Sequence, residues 1–170
     1  MVAGRRSDGM AVRIRVFAIG KIKEKYLRDS IAEYKKRLSG YAGVTVMEYP
    51  DEPIPGTLTA GERTRILSKE GDPVLSELSP SEVVVLLDCA GTQWSSEDLA
   101  ETLLKLTISG KSRFAFVIGG TLGVSHALRE RADFRWSLSH ATFPHQIVRL
   151  LVFEQCYRAM RINRGETYHR

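Results

Sequence analysis

The stretch 113-RFAFVIGGTLGVS-125 decides the fold class. Its apolar run, 114-FAFVI-118, ends at a glycine pair, and a third glycine follows at 123. A strand with apolar residues on both faces belongs inside a parallel sheet covered by helices on each side. A second such run, 83-VVVLLD-88, has no polar residue before its last position. Two strands of this kind in one chain argue for an α/β architecture.

Working outward, Val12, Ile14 and Val16 alternate and lead through 17-FAI-19 into Gly20, which reads as a first strand. Leu27, Ile31, Tyr34 and Leu38 then recur at helical spacing, and Gly40 is placed to end that helix. Residues 44-VTVMEY-49 form a strand that stops at Pro50, and 50-PDEPIPG-56 is a loop because its three prolines remove amide donors. A polar helix is expected over residues 60–71, with a separate helical turn near 74–78. Ser95, with Asp98 three residues on, caps a helix carrying Leu99, Leu103 and Leu106. A short helix over 125–132, a strand over 134–139 and a long helix from about Pro144 to Ile162 complete the alternation. The expectation is a single domain: a mostly parallel sheet flanked by helices, spanning residues 12–170 behind a disordered tail at 1–11.

The totals fit this reading. A chain of 170 residues with 43% hydrophobic and 26% charged residues has enough material for one buried core. Its net charge of +5 favours an anionic partner. Cys89 and Cys156 lie far apart without metal-ligand spacing, which suggests a reduced, cytoplasmic setting and no metal. No apolar stretch approaches the length of a membrane span, so no membrane partner is expected.

Open α/β sheets bind ligands beyond the carboxyl ends of their strands. Three such ends stand out: Leu87-Asp88 with Gly91, Ile118-Gly119-Gly120, and Leu138-Ser139. The glycines at 119, 120 and 123 miss the G-x-G-x-x-G spacing of dinucleotide folds, and Val124 stands where a phosphate-cradling loop needs lysine. Taken alone, the loop is either a ligand site or a plain turn with a bulge.

The last helix is apolar at 147, 148, 150, 151, 152, 153, 156, 157 and 160, too wide a face for one side of a surface helix. It either threads the core or meets a second subunit, and the small number of other elements favours a dimer. Its polar side carries Glu154, Arg158 and Arg161, a spacing that also suits a solvated ion-pair ladder. Residues 126–170 hold all four histidines and eight arginines against four acids, with no lysine. Arginine without lysine suits planar gripping of phosphate or a nucleobase edge. Arg135, Arg149, Arg161 and Arg164 are phosphate candidates, and Lys21, Lys23 and Lys25 form a second basic strip.

The ordered set FVIGG–x–x–G, WSLS–x–x–TFPHQ–x–VR, EQ–x–YRA and YHR resembles the ribosomal RNA large subunit methyltransferase H family of the SPOUT superfamily. The likeness runs from Val12 to Arg170 and is weakest between 50 and 80. It implies a C-terminal trefoil knot, otherwise rare among folds, and S-adenosylmethionine (SAM) as cofactor. Carried over by motif, the cofactor contacts fall on Leu87, Gly119, Leu138, Ser139, His140, Ala141, Thr142 and Phe143. The implied reaction methylates N3 of a pseudouridine in 23S ribosomal RNA, within the large subunit or the assembled ribosome. Its candidate catalytic residues are Arg158 to stabilise the base anion, Glu154 to orient it or act as base, His169 to take the proton, and Tyr168 to stack. Without the resemblance, the YHR tail reads as a frayed terminus. Rival readings are a SPOUT enzyme acting on ribose 2′-O or transfer RNA, a noncatalytic ribosome-assembly module, and a flavodoxin-like nucleotide binder.

Overall fold

The computed structural model describes residues 11–167, so residues 1–10 of the tail expected at 1–11 and the candidates Tyr168 and His169 lie outside the described residues. Five strands form one parallel sheet: β1 (Arg13–Ile19), β2 (Gly43–Tyr49), β3 (Val83–Gln93), β4 (Arg113–Ile118) and β5 (Phe134–Ser137), in the order β2-β1-β4-β3-β5. The helices between them are α1 (Lys25–Ser39), α2 (Ala60–Glu77), α3 (Ser96–Ile108), α4 (His126–Arg131) and α5 (His145–Asn163). The single α/β domain and its parallel sheet therefore stand as the apolar runs required.

Alternation within the strands divides the core into two layers. Ile14, Val16, Val85, Phe114 and Phe116 face one way, against Leu27 and Ile31 of α1, Leu99 and Leu103 of α3, and Val152, Phe153 and Cys156 of α5. Phe17, Val84, Leu86, Ala115 and Val117 face the other way, against Val74 of α2 and Leu128 of α4. Consecutive strand residues point to opposite faces, so β4 needs apolar side chains throughout.

Two elements differ from expectation. α2 is one continuous helix that contains Pro73. Proline removes one backbone donor, yet Ile66 and Val74 are both fully buried, and their packing holds the helix together across that gap. β3 also runs on to Gln93, with a register shift between Leu87 and Thr92. Both Leu87 and Thr92 pair with Trp136, so residues 88–91 form an excursion that leaves the ladder and rejoins it at the same place.

The wide apolar face of α5 is accounted for largely within the chain, since α5 packs against both α1 and α3. Leu150 and Leu151 remain part-exposed. Ser95 caps α3 as expected: its Oγ accepts from the Asp98 amide at 3.0 Å, and Asp98 Oδ2 accepts from the Ser95 amide at 2.9 Å.

Candidate active site

Beyond the carboxyl ends of β3, β4 and β5 lies a cavity of about 370 Å³. That volume falls in the range of small-molecule sites. The end of β4 supplies Ile118 and the turn Gly119–Val124; β3 supplies Leu87, Asp88 and Cys89. The segment after β5 supplies Leu138, Ser139, Ala141, Thr142 and Phe143, and the first turns of α5 supply His145 and Val148. Three strand ends singled out from sequence thus meet around one space.

Seven of the eight cofactor candidates line this cavity: Leu87, Gly119, Leu138, Ser139, Ala141, Thr142 and Phe143. His140 is exposed and does not line it. Ser137 Oγ donates to the Ser139 carbonyl at 3.0 Å, and Ser139 Oγ accepts from the Ala141 amide at 3.0 Å, which fixes the segment's course.

The glycine turn is closed by its own backbone. The Gly123 amide donates to the Gly120 carbonyl at 3.1 Å, and Gly123 has φ +96°, a region that disfavours side chains. A Cβ on Gly119 would lie 2.5 Å from Gly123 O and 2.7 Å from Val124 Cγ1. Gly119 is therefore demanded by the turn folding back on itself. From below, Glu70 of α2 lies buried beneath Gly120 and accepts from the Glu52 amide at 2.9 Å. Burial raises the Glu70 carboxyl above the usual carboxylate range, and nearby Asp51 and Glu52 add to the rise.

Trp136 forms part of the cavity wall, packed against Trp94 in a tilted pair and Phe116 edge-on, at centroid distances of 5.9 and 6.2 Å. Its Nε1 is buried without a hydrogen-bond partner, and so is Asp88 Oδ2. Burial, with Arg149 nearby, pushes the His145 pKa down and favours the neutral imidazole. Reading by motif missed Asp88, Arg129, Trp136 and His145 as wall residues. Asp88 was visible as part of the Leu87-Asp88 strand end, but not as a cofactor contact.

The catalytic candidates sit elsewhere. Arg158 donates to Glu154 Oε1 through Nε at 3.0 Å and Nη2 at 2.6 Å, and Gln155 Nε2 donates to Glu154 Oε2 at 2.7 Å. Neither Glu154 nor Arg158 lines the cavity. Arg158 lies ten residues beyond Val148, about 15 Å along the helix. Arg149 is no phosphate ligand: it is 3% exposed and tied to Glu48 and Gly20. Arg161 pairs with Glu166 at 2.9 Å, and Arg135 lies 3.5 Å from Asp88. Among the described residues no group of three or more His, Cys, Asp or Glu is arranged to hold a metal, and no helix is long and apolar enough to cross a membrane.

The sequence profile of a family described as "Predicted SPOUT methyltransferase" matches residues 12–169. The chain belongs to the SPOUT methyltransferases. Proteins named ribosomal RNA large subunit methyltransferase H from Desulfitobacterium hafniense and Bacillus thuringiensis are 46% and 48% identical to it over 159 residues. Each alignment covers 94% of this chain and 99% or 100% of the relative. A probable methyltransferase from Bordetella pertussis superposes with a TM-score of 0.55 at 14% identity, over 89% of this chain and 96% of that one. A putative methylase family protein from Neisseria gonorrhoeae gives 0.52 at 15% identity, over 92% and 86%. At that identity the two structures speak for the fold alone.

Proposed function

We propose that this SPOUT methyltransferase uses SAM to methylate N3 of a pseudouridine in 23S ribosomal RNA of the large subunit, acting in the cytoplasm. The convergence of seven motif-assigned residues on one strand-end cavity carries the reading. Names of the relatives, ribosomal RNA large subunit methyltransferase H, support the substrate.

The cavity residues fit the cofactor. Apolar walls from Leu87, Ile118, Leu138, Phe143 and Val148 suit an adenosyl group. The buried Trp136 Nε1 and Asp88 Oδ2, neither with a hydrogen-bond partner among the described residues, suit polar ligand atoms. When bound, SAM supplies a methyl group already activated by its sulfonium. The protein's own task is then to orient two reactants and exclude water. The trefoil knot is part of this proposal.

At the acceptor, N3 must lose a proton, and the resulting charge spreads over two carbonyl oxygens. Arg158, oriented by Glu154, is assigned to stabilise that charge through its fork. His169 is assigned as base and Tyr168 as stacking partner. Because Arg158 stands about 15 Å along α5 from the cavity edge, we assign a homodimer in which one copy's helix and tail serve the other's cavity. Sedimentation at working concentration tests the dimer. RNA affinity is assigned to Lys21, Lys23 and Lys25, all exposed at the end of β1, with Tyr26, 68% exposed, beside them.

The deciding experiment measures methyl transfer from labelled SAM to assembled ribosomes, isolated subunits and naked RNA side by side. Label at N3 of a pseudouridine in 23S RNA is the expected result. Label on ribose or on transfer RNA alone rejects the assignment.

A further inference from the structure

Among the described residues, Asp88 is the one acidic side chain in the cavity wall. Its side chain is only 10% exposed. Oδ1 accepts from the Ala90 amide at 2.9 Å, which fixes the carboxylate at the root of the 88–91 excursion. Oδ2 is buried and accepts no hydrogen bond from the described residues. Two guanidinium groups form long ion pairs with it but no hydrogen bond: Arg135 Nη1 at 3.5 Å and Arg129 Nε at 3.9 Å. A buried carboxylate oxygen left without a donor is costly. A ligand that brings a donor removes that cost.

Arg129 also lines the cavity, from α4, and its side chain is 48% exposed. The wall therefore presents an acceptor with negative charge and, next to it, a donor with positive charge. An α-amino acid carries the complementary pair on neighbouring substituents of one carbon, an ammonium and a carboxylate. A ribose diol would satisfy Asp88 but offers the guanidinium no charge. Apart from Thr121, the wall near the glycine turn is apolar side chain and backbone, which suits a flat heterocycle.

We propose that Asp88 and Arg129 form the subsite for the amino-acid head of the ligand, with the ammonium on Asp88 and the carboxylate on Arg129. The proposal rests on the methyl-donor reading given above. It makes the pair responsible for distinguishing SAM and S-adenosylhomocysteine from nucleosides that share the adenosine part.

The test is calorimetry on the full chain with S-adenosylhomocysteine and with 5′-methylthioadenosine, which keeps the adenosine and sulfur but lacks the head group. Wild-type protein is expected to prefer S-adenosylhomocysteine. Asp88→Asn and Arg129→Gln should each weaken S-adenosylhomocysteine by about tenfold to a hundredfold while methylthioadenosine stays within about twofold. Unchanged methylthioadenosine binding also shows that each variant is folded. Equal loss of both ligands in Asp88→Asn would move the carboxylate to the ribose or to loop structure and overturn the proposal. So would variants that keep the wild-type preference, or a wild-type protein that shows none. Wild-type binding of neither compound removes the methyl-donor reading itself, and this subsite with it.

Discussion

Arg149 donates through Nη2 to the carbonyl oxygen of Gly20 at 2.9 Å, joining the start of α5 to the end of β1 across 129 positions of sequence. Its Nη1 lies 2.5 Å from Glu48 Oε2 in β2. One buried side chain thus pins two strand ends to the helix that carries His145 and Val148 into the cavity wall. Arg149→Met keeps much of the stem but leaves the Gly20 carbonyl without that donor. The expected loss is about 2 kcal/mol, a typical cost for a hydrogen bond to a charged group, read by urea unfolding. RNA binding by this variant should keep its salt dependence. Lys21→Ala and Lys23→Ala should leave stability alone and each lower the salt slope by about one.

Gly119→Ala should disturb the turn before it disturbs any ligand. The added Cβ meets Gly123 O and Val124 Cγ1 well inside contact distance. Overpacking of this kind costs about 1–3 kcal/mol. Thermal melts and SAM calorimetry should therefore fall together. Weakened binding at unchanged melting temperature would show that the glycine makes room for the ligand instead.

Arg158→Ala should leave SAM affinity within about twofold and cut methyl transfer by about a hundredfold or more, as the loss of a charge-stabilising donor does elsewhere. Calorimetry and single-turnover assays separate the two effects. Equal loss in both would assign the Glu154–Arg158 pair to structure.

Glu70 gives a signed pH dependence. Its carboxyl is raised above 4.5 in the folded protein by burial, so the native state holds its proton more tightly than the unfolded chain. This contribution to stability is full below pH 4.5 and is lost as pH rises through the folded pKa. Glu70→Gln should then be more stable than wild type above that window, and the gap should narrow below it. Melts across pH 4 to 8 check the sign.

Much of this fold was legible because its cues are local. The runs at 83–88 and 114–118 demanded two-sided burial, and Ser95 with Asp98 announced a helix start. What was not legible depends on distant partners. Pro73 reads as a break until Ile66 and Val74 are seen sunk in the core. Arg149 reads as a phosphate ligand until Glu48 and Gly20 close around it. The wide apolar face of α5 reads as too broad for one side of a helix, and only the fold shows that α1 and α3 each cover part of it. At the site, motif positions named the walls at Leu87 and Phe143 but not Asp88, whose significance lies in an oxygen without a donor.

The excursion between Leu87 and Thr92 has an evolutionary consequence. Because the strand departs from and returns to the same tryptophan, residues 88–91 can change length without any other position in the sheet changing neighbour. Variation there is decoupled from the core, so a lineage can reshape the rim around Asp88 while inheriting the sheet untouched. Asp88, which lines the cavity, and the glycine at 91, pressed on the Arg135 carbonyl, must be carried along.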